Sequence, residues 1–167
     1  MDRQTVGIRF RKTVASVCFI GYCPASGTVA SAAVIAALWF AAGKTFFTMS
    51  GNSVAYWFMT LGVIGFSFYF SSRSRELFGT EDSGKIVIDE VAGQLITFLF
   101  VPLTLRTLIA GFILFRFYDI IKPFPVYHME ALEDGVGVTM DDVAAGVLAN
   151  VSLIALLAAY HAIKGYL

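Results

Sequence analysis

The chain has few charged residues, few cysteines and no excess of one sign of charge. Only 14% of its 167 residues are charged, with 12 basic residues against 12 acidic ones. Without a basic excess, no nucleic-acid partner is expected. The two cysteines, Cys18 and Cys23, are too few for a disulfide framework. Val29 stands six residues after Cys23, which excludes a Cys-x5-Arg catalytic loop.

Apolar residues, in contrast, are abundant. They make up 57% of the chain, and the mean hydropathy is +0.75. An average soluble domain is about 45–50% apolar and about 25% charged. This much apolar surface excludes disorder and exceeds what a soluble domain of this size can bury. The composition predicts a small integral membrane protein.

Five apolar segments predict an all-α, multi-span fold with about five transmembrane helices, in one domain over residues 1–167. A span needs about 17–25 residues. The segments are 28–42, 54–71, 86–101, 103–121 and 143–163. The stretch 13–23 is too short to cross, so it predicts a short N-terminal surface or re-entrant helix. Pro102 predicts a tight hairpin between the third and fourth spans.

Basic residues near the segment ends predict a cytoplasmic N-terminus. With that topology, one side of the membrane collects nine of them and the other three. The nine are Arg3, Arg9, Arg11, Lys12, Arg73, Arg75, Lys85, Arg116 and Lys122, and the three are Lys44, Arg106 and Lys164.

The same topology brings six acidic residues to the cytoplasmic side. They are Asp82, Asp89, Glu90, Asp119, Asp141 and Asp142, at the ends of the third, fourth and fifth spans. Carboxylates at the edge of hydrocarbon are costly and tend to face a partner or a wet cavity. A bound divalent cation relieves their repulsion, and Mg²⁺ prefers such oxygen ligands. The pattern therefore predicts a Mg²⁺ site.

Two bases accompany the acids. Arg116 and Asp119 lie three residues apart on one helix face, and Lys122 follows three residues later. A guanidinium and an ammonium beside a metal suit a phosphate group. Thr28 starts the first span on the same side, where a cap hydroxyl or free N–H groups could contact a phosphate oxygen. Gly93 and Gly146 each follow an acid by four residues, which favours close helix approach.

Structural explanations for these residues remain open. Thr28 could be a helix cap alone, and Arg116–Asp119 only a helix pair. Asp141 and Asp142 could be an N-cap and a first-turn acid. Glu130 is expected on the surface of a loop.

Four short patterns resemble the phosphatidylglycerophosphatase A family. They are Asp82-x-x-x-Ile86-Val87-x-Asp89-Glu90-x-x-Gly93, Phe115-Arg116-x-x-Asp119-x-x-Lys122-Pro123-x-Pro125, Gly137-x-x-x-Asp141-Asp142-x-x-Ala145-Gly146 and the weaker Gly27-Thr28-x-x-Ser31. Three positions depart from the family: Ser26 replaces its usual Pro, Ala30 its Gly and Thr139 its Met.

The resemblance implies a Mg²⁺-dependent phosphatase of the bacterial inner membrane. It would be multi-pass with its site facing the cytoplasm, and would convert the lipid phosphatidylglycerol phosphate to phosphatidylglycerol and inorganic phosphate. We assign metal binding to Asp82, Asp89, Glu90, Asp141 and Asp142, catalysis to Asp89, Glu90, Asp119 and Asp142, and substrate binding to Thr28, Arg116 and Lys122. Direct attack by water and a phospho-aspartate both stay open.

Other function classes were weighed against this interpretation. A transporter also uses intramembrane acids, although its site usually lies near the midplane. A headgroup transferase would need an Asp-x-x-Asp-Gly-x-x-Ala-Arg run, which is missing. A Ser-x-x-His lipid phosphatase would need two placed histidines, which His128 and His161 do not supply. A non-catalytic membrane subunit would not need so many converging acids.

Overall fold

The structure, a computed structural model, describes residues 3–43, 53–80, 83–132 and 136–165. Every regular element in these ranges is helical, which confirms the all-α prediction there. The helices are α1 (Arg3–Ala15), α2 (Ser26–Gly43), α3 (Val54–Ser71), α4 (Ser74–Phe78), α5 (Ile88–Ile96), α6 (Leu105–Ile121), α7 (Val126–Glu130) and α8 (Val136–Gly165), with a 3-10 helix at Ile20–Tyr22. Asp82 lies outside the described residues.

The predicted number of spans is not confirmed. Among the described residues, two helices are long and apolar enough to cross a membrane: α3, and α8 over Val136–Lys164. The apolar part of α2, Ser26–Ala42, is shorter. The third predicted span contains only the nine residues of α5, which rise about 14 Å, half the hydrocarbon thickness. Membrane association is therefore supported, and five full spans are not confirmed.

The N-terminal segment also differs from its prediction. Helix α1 covers the basic residues, whereas the apolar stretch after Ala15 forms turns in which Val17, Cys18 and Phe19 have positive φ. The Ser16 hydroxyl holds this turn by donating to the Lys12 carbonyl and accepting from the Phe19 N–H. The predicted helix over 13–23 is wrong because local hydrogen bonds of Ser16 compete with helix continuation.

The break between α5 and α6 is present, but it occupies residues 97–104 rather than a tight turn. Asn150 of α8 stabilises it, since its side-chain amide donates to the carbonyls of Thr97 and Leu99 at 2.9 and 2.7 Å. These two carbonyls lie where α5 ends. No following helical turn is present there to supply N–H donors to them. Thr104 then caps α6 through a reciprocal pair of bonds with Thr107.

Two glycines set the distance between α5 and α8. A Cβ at Gly93 would lie 2.5 Å from the Asp142 carbonyl oxygen and 2.5 Å from the Phe115 ring. A Cβ at Gly146 would overlap the Gly93 carbonyl. The prediction of a close helix approach is confirmed. The crossing places the first turn of α5 beside Asp142.

The main apolar core lies on the other side of this crossing. Its buried members come from five helices and the α5–α6 connection: Val34, Leu38, Tyr56, Leu95, Phe98, Val101, Leu108 and Leu153. The Tyr56 hydroxyl is satisfied inside this core, because it donates to the Leu95 carbonyl at 2.7 Å. Helix α5 is thus anchored on α3 below the site.

Candidate metal and phosphate site

Acids from three helices meet in one pocket of about 140 Å³. Asp89 and Glu90 come from the first turn of α5, and Asp119 from the last turn of α6. Asp141 and Asp142 come from the second turn of α8, because this helix begins at Val136. The explanation of these two as an N-cap and a first-turn acid is therefore wrong.

Three of these carboxylates form a compact group. Asp89, Glu90 and Asp142 each offer one oxygen, and these oxygens all lie within 4.8 Å of one another. Asp89 is 2% exposed and Asp142 5% exposed. Within the described part of the chain, Glu90 Oε2 and Asp142 Oδ1 are buried without a hydrogen-bond partner. Buried oxygens with unused lone pairs fit a hard divalent cation.

The electrostatics of the pocket also favour a bound divalent cation. Burial, followed by repulsion from Glu90, raises the pKa of Asp89 well above its usual range. Burial also raises the pKa of Glu90, and the charge of Asp119 adds to this. Among the described residues, six carboxylates at the pocket face two bases, Arg116 and Lys122. Keeping them ionised together requires additional positive charge.

Arg116 is held at the junction of α6 and α2. Its guanidinium forms an ion pair with Asp119, and both side chains are 17% exposed. The first turn of α2 closes over them: a Cβ at Gly27 would lie 3.1 Å from an Arg116 terminal nitrogen and overlap the Glu90 carboxylate. Thr28 follows Gly27 in this turn, exposed to the outside. Because α2 begins at Ser26, Thr28 is not its N-cap, and that explanation is wrong.

Lys122 lies between two carboxylates. Its ammonium contacts Asp141 at 2.8 Å and Glu130 at 2.6 Å. Burial works to lower the pKa of Lys122, but these two hydrogen-bonded carboxylates raise it above its ordinary value. The backbone of Lys122 adopts a left-handed conformation that ends α6, and this turns the chain so that α7 returns over the pocket.

Most of the residues assigned from sequence gather at this pocket, and the structure adds two more. Asp89, Glu90, Asp119, Asp141, Asp142 and Lys122 line it, and Arg116 contacts Asp119 beside it. Glu130, expected on a loop surface, lines it as well. No spacing in the sequence indicates this, because it depends on the return of α7. Gly27 is the other addition, and its position in the Gly27-Thr28 pattern was the available signal.

The sequence of the chain matches a known protein family. The sequence profile described as phosphatidylglycerophosphatase A matches residues 13–157, most of the chain. The chain belongs to the phosphatidylglycerophosphatase A family. This confirms the resemblance carried by the four patterns, and a family named for a phosphatase does not favour the transporter alternative.

Three curated relatives show the range of the family. A phosphatidylglycerophosphatase A of Haemophilus influenzae is 40% identical over 53% of this chain and 55% of its own length. The Escherichia coli protein of that name is 34% identical over 48% of each chain. A Bacteroides thetaiotaomicron protein proposed to be a phosphatidylinositol-3-phosphatase is 36% identical over 76% of this chain and 80% of its own. The alignments with the first two span about half of those proteins. No solved structure matches the chain.

Proposed function

We propose that the protein hydrolyses the phosphate monoester of phosphatidylglycerol phosphate, giving phosphatidylglycerol and inorganic phosphate. The observation that carries the proposal is the group of three convergent carboxylates, two of them on buried residues, beside Arg116 and Lys122, in a chain of this family. The whole chain, 1–167, is taken as one helical membrane phosphatase domain.

The proposed cofactor is Mg²⁺. Asp89, Glu90 and Asp142 would hold it, because their oxygens converge and two of them have no hydrogen-bond partner within the described ranges. Asp141, whose carboxylate is shared with Lys122, and Asp82 are proposed as additional ligands. Bound there, Mg²⁺ would supply positive charge against the phosphoryl oxygens and orient a water.

The residues of the chain itself bind and orient the doubly charged phosphate. Arg116 offers a planar fork of donors and Lys122 a point charge, so together they fix the phosphate against the acids. Thr28, in the first turn of α2, is proposed to contact it from the outer side. In the overall reaction, a water oxygen bonds to phosphorus, the ester P–O bond breaks, and the leaving glycerol oxygen gains a proton. Asp119 is the proposed base that accepts a proton from the incoming oxygen.

The proposed location is the cytoplasmic face of the bacterial inner membrane, with the chain crossing more than once. The pocket lies near the end of α3 and the start of α8, the two helices able to cross. A headgroup phosphate lies at this depth, while its acyl chains stay in the leaflet. The excess of basic residues at this end favours the cytoplasmic side.

A second substrate is favoured by one observation. The Bacteroides thetaiotaomicron relative covers more of the chain than the two phosphatidylglycerophosphatases, and its proposed substrate is phosphatidylinositol 3-phosphate. Both lipids present a phosphate monoester on a polyol headgroup, so the carboxylates and bases suit either. Discrimination between the two lipids would come from the residues around the headgroup rather than from the acids.

The test is phosphate release by the purified chain in detergent, with each lipid in turn. With Mg²⁺ present, we expect rapid release from phosphatidylglycerol phosphate, slower release from phosphatidylinositol 3-phosphate, and none from either after chelation. Faster release from the inositol lipid would overturn the substrate assignment and retain the site. No release from either lipid by folded protein would overturn the phosphatase proposal.

A further inference from the structure

A second group of polar atoms lies one helical turn beyond the carboxylates. The Gln94 side chain is fully buried, and neither its amide nitrogen nor its amide oxygen has a hydrogen-bond partner in the part of the chain that the structure describes. Ser31 is also fully buried, and its hydroxyl is likewise unpartnered among those residues. Buried polar groups are rarely left unpaired without a functional reason.

The packing of α2 on α5 places these two residues at the same level. Gly27 touches the Glu90 carboxylate at the start of both helices. Further along, Val34 and Leu38 of α2 share one core cluster with Phe98 and Val101. The two segments therefore run in the same direction away from the site.

The helical repeat determines which residues face each other between the Gly27–Glu90 contact and the core cluster. On α2, residues 27, 31, 34 and 38 recur at the spacing of one buried face. On α5, residue 94 follows residue 90 by the same four residues, and Phe98 and Val101 lie beyond the end of α5, in the α5–α6 connection. Since Gly27 meets Glu90, Ser31 comes opposite Gln94. Glu90 and Gln94 are themselves neighbours at i and i+4.

The unused donors and acceptors of these residues match. Glu90 Oε2 accepts, Gln94 Nε2 donates and Oε1 accepts, and the Ser31 hydroxyl donates. We infer that Ser31 and Gln94 form a hydrogen-bond relay that orients the Glu90 carboxylate, with Ser31 donating to Gln94 and Gln94 donating to Glu90. The contacts form by rotation of the side-chain torsions, directly or through one water.

This relay makes Gln94 a positioning residue, since it acts through Glu90 and does not touch the phosphate. Groups that hydrogen-bond a metal-binding carboxylate fix its orientation, and their loss typically lowers metal affinity about 10- to 100-fold. The inference rests on the proposed metal site and assigns α2 a role in forming it. An apolar side chain of similar length at residue 94 would retain the packing and lose the relay.

Binding of Mn²⁺, measured by electron paramagnetic resonance on the full chain in detergent, tests the relay without any lipid. Mn²⁺ accepts the same oxygen ligands as Mg²⁺. Gln94→Met is expected to weaken binding about 10- to 100-fold, and Ser31→Ala to weaken it less, in the same direction. Thr97→Val is the matched control at the C-cap of α5, because the Thr97 hydroxyl donates to the Gly93 carbonyl one turn back. It should bind Mn²⁺ like the wild type.

The outcomes separate the relay from the proposed function. Wild-type affinity in both folded Gln94→Met and Ser31→Ala overturns the relay, even if the wild type hydrolyses phosphatidylglycerol phosphate. Weakened binding in these variants supports the relay, even if the wild type releases no phosphate. If Gln94→Met does not fold, Ser31→Ala alone decides. A wild type that binds no Mn²⁺ overturns the relay and the metal site together.

Discussion

At the scale of single residues, Glu130 has the least expected position. Its carboxylate contacts Lys122 at 2.6 Å, where the proposed substrate phosphate would also bind. A carboxylate on the phosphate-binding ammonium competes with the substrate. We predict that Glu130→Gln lowers the KM for the lipid several-fold and changes kcat little, as measured by steady-state phosphate release.

The control for this change is Glu76→Gln. Glu76 is 54% exposed and pairs with Arg11 on the surface, where such pairs contribute about 0–1 kcal/mol. Its KM should equal that of the wild type. A raised KM in Glu130→Gln would mean that Glu130 supports the site rather than competing for it.

Arg116 supports a second prediction at this scale. Its guanidinium is packed between Gly27 and Asp119, a position that uses its planar shape as well as its charge. Lysine keeps the charge and loses the fork. Arg116→Lys should raise KM or lower kcat so that kcat/KM falls about tenfold or more. Arg106→Lys, at the distant start of α6, should leave kcat/KM unchanged. Full activity in Arg116→Lys would remove Arg116 from the phosphate site.

At the scale of elements, the crossing of α5 and α8 determines whether the carboxylates meet. Gly93→Ala places a methyl group 2.5 Å from the Asp142 carbonyl oxygen, so the helices must separate. Overpacking of this kind costs about 1–3 kcal/mol. We predict a lower melting temperature in detergent and weakened Mn²⁺ binding in the same variant.

Gly62→Ala is the matched control for the crossing. Within the described ranges, no atom outside the neighbouring backbone of α3 and the two adjacent residues lies within 4 Å of a Cβ at Gly62, in the middle of α3. Alanine is favoured over glycine within a helix by about 0.5–1 kcal/mol, so this variant should be as stable as the wild type or more so. Equal stability of Gly93→Ala and Gly62→Ala would contradict the close crossing.

Helix existence was predictable from sequence here, whereas helix limits were less so. Apolar runs located α2, α3, α6 and α8. Helix α5 is shorter than its run because the carbonyls of Thr97 and Leu99, just after its end, accept from Asn150, 53 and 51 residues away. Such a long-range cap leaves no local signal. Thr139, which stands where the family usually has Met, also has no explanation in the local sequence. Its hydroxyl forms hydrogen bonds with Ser67 and Ser71 of α3, 72 and 68 residues earlier in the chain.

At the scale of the whole molecule, the acids converge because three helices begin or end at one side. This was predictable, since it needs only helix direction. The approach of α2 to the site and the return of α7 were not, because each depends on packing between distant segments. The five predicted spans are not confirmed, because apolar content alone does not separate a spanning helix from a short one buried among others.

Orientation in the membrane is the prediction that belongs to this scale. Cys18 and Cys23 are free and exposed, and Gly21 between them packs on the Lys85 backbone next to the pocket. Both thiols therefore mark the end of the molecule that holds the acids. A membrane-impermeant maleimide should label them in inside-out vesicles and not in intact spheroplasts.

The opposite end provides the control. His161→Cys, in a chain with Cys18 and Cys23 replaced by Ser, puts one exposed thiol near the end of α8. This thiol should be labelled in spheroplasts and protected in inside-out vesicles. Labelling of Cys18 or Cys23 from the outside would reverse the proposed topology.

The central claim is that Asp89, Glu90 and Asp142 hold a divalent cation that hydrolysis requires. The most direct measurement is phosphate release from phosphatidylglycerol phosphate across a Mg²⁺ titration, with the wild type, Asp142→Asn and Glu76→Gln. We predict metal-dependent release by the wild type and by Glu76→Gln. Folded Asp142→Asn should lose activity more than about 100-fold, because a ligand contributes at least as much as the groups that orient it. Mg²⁺-independent release, or wild-type activity in Asp142→Asn, would contradict the account.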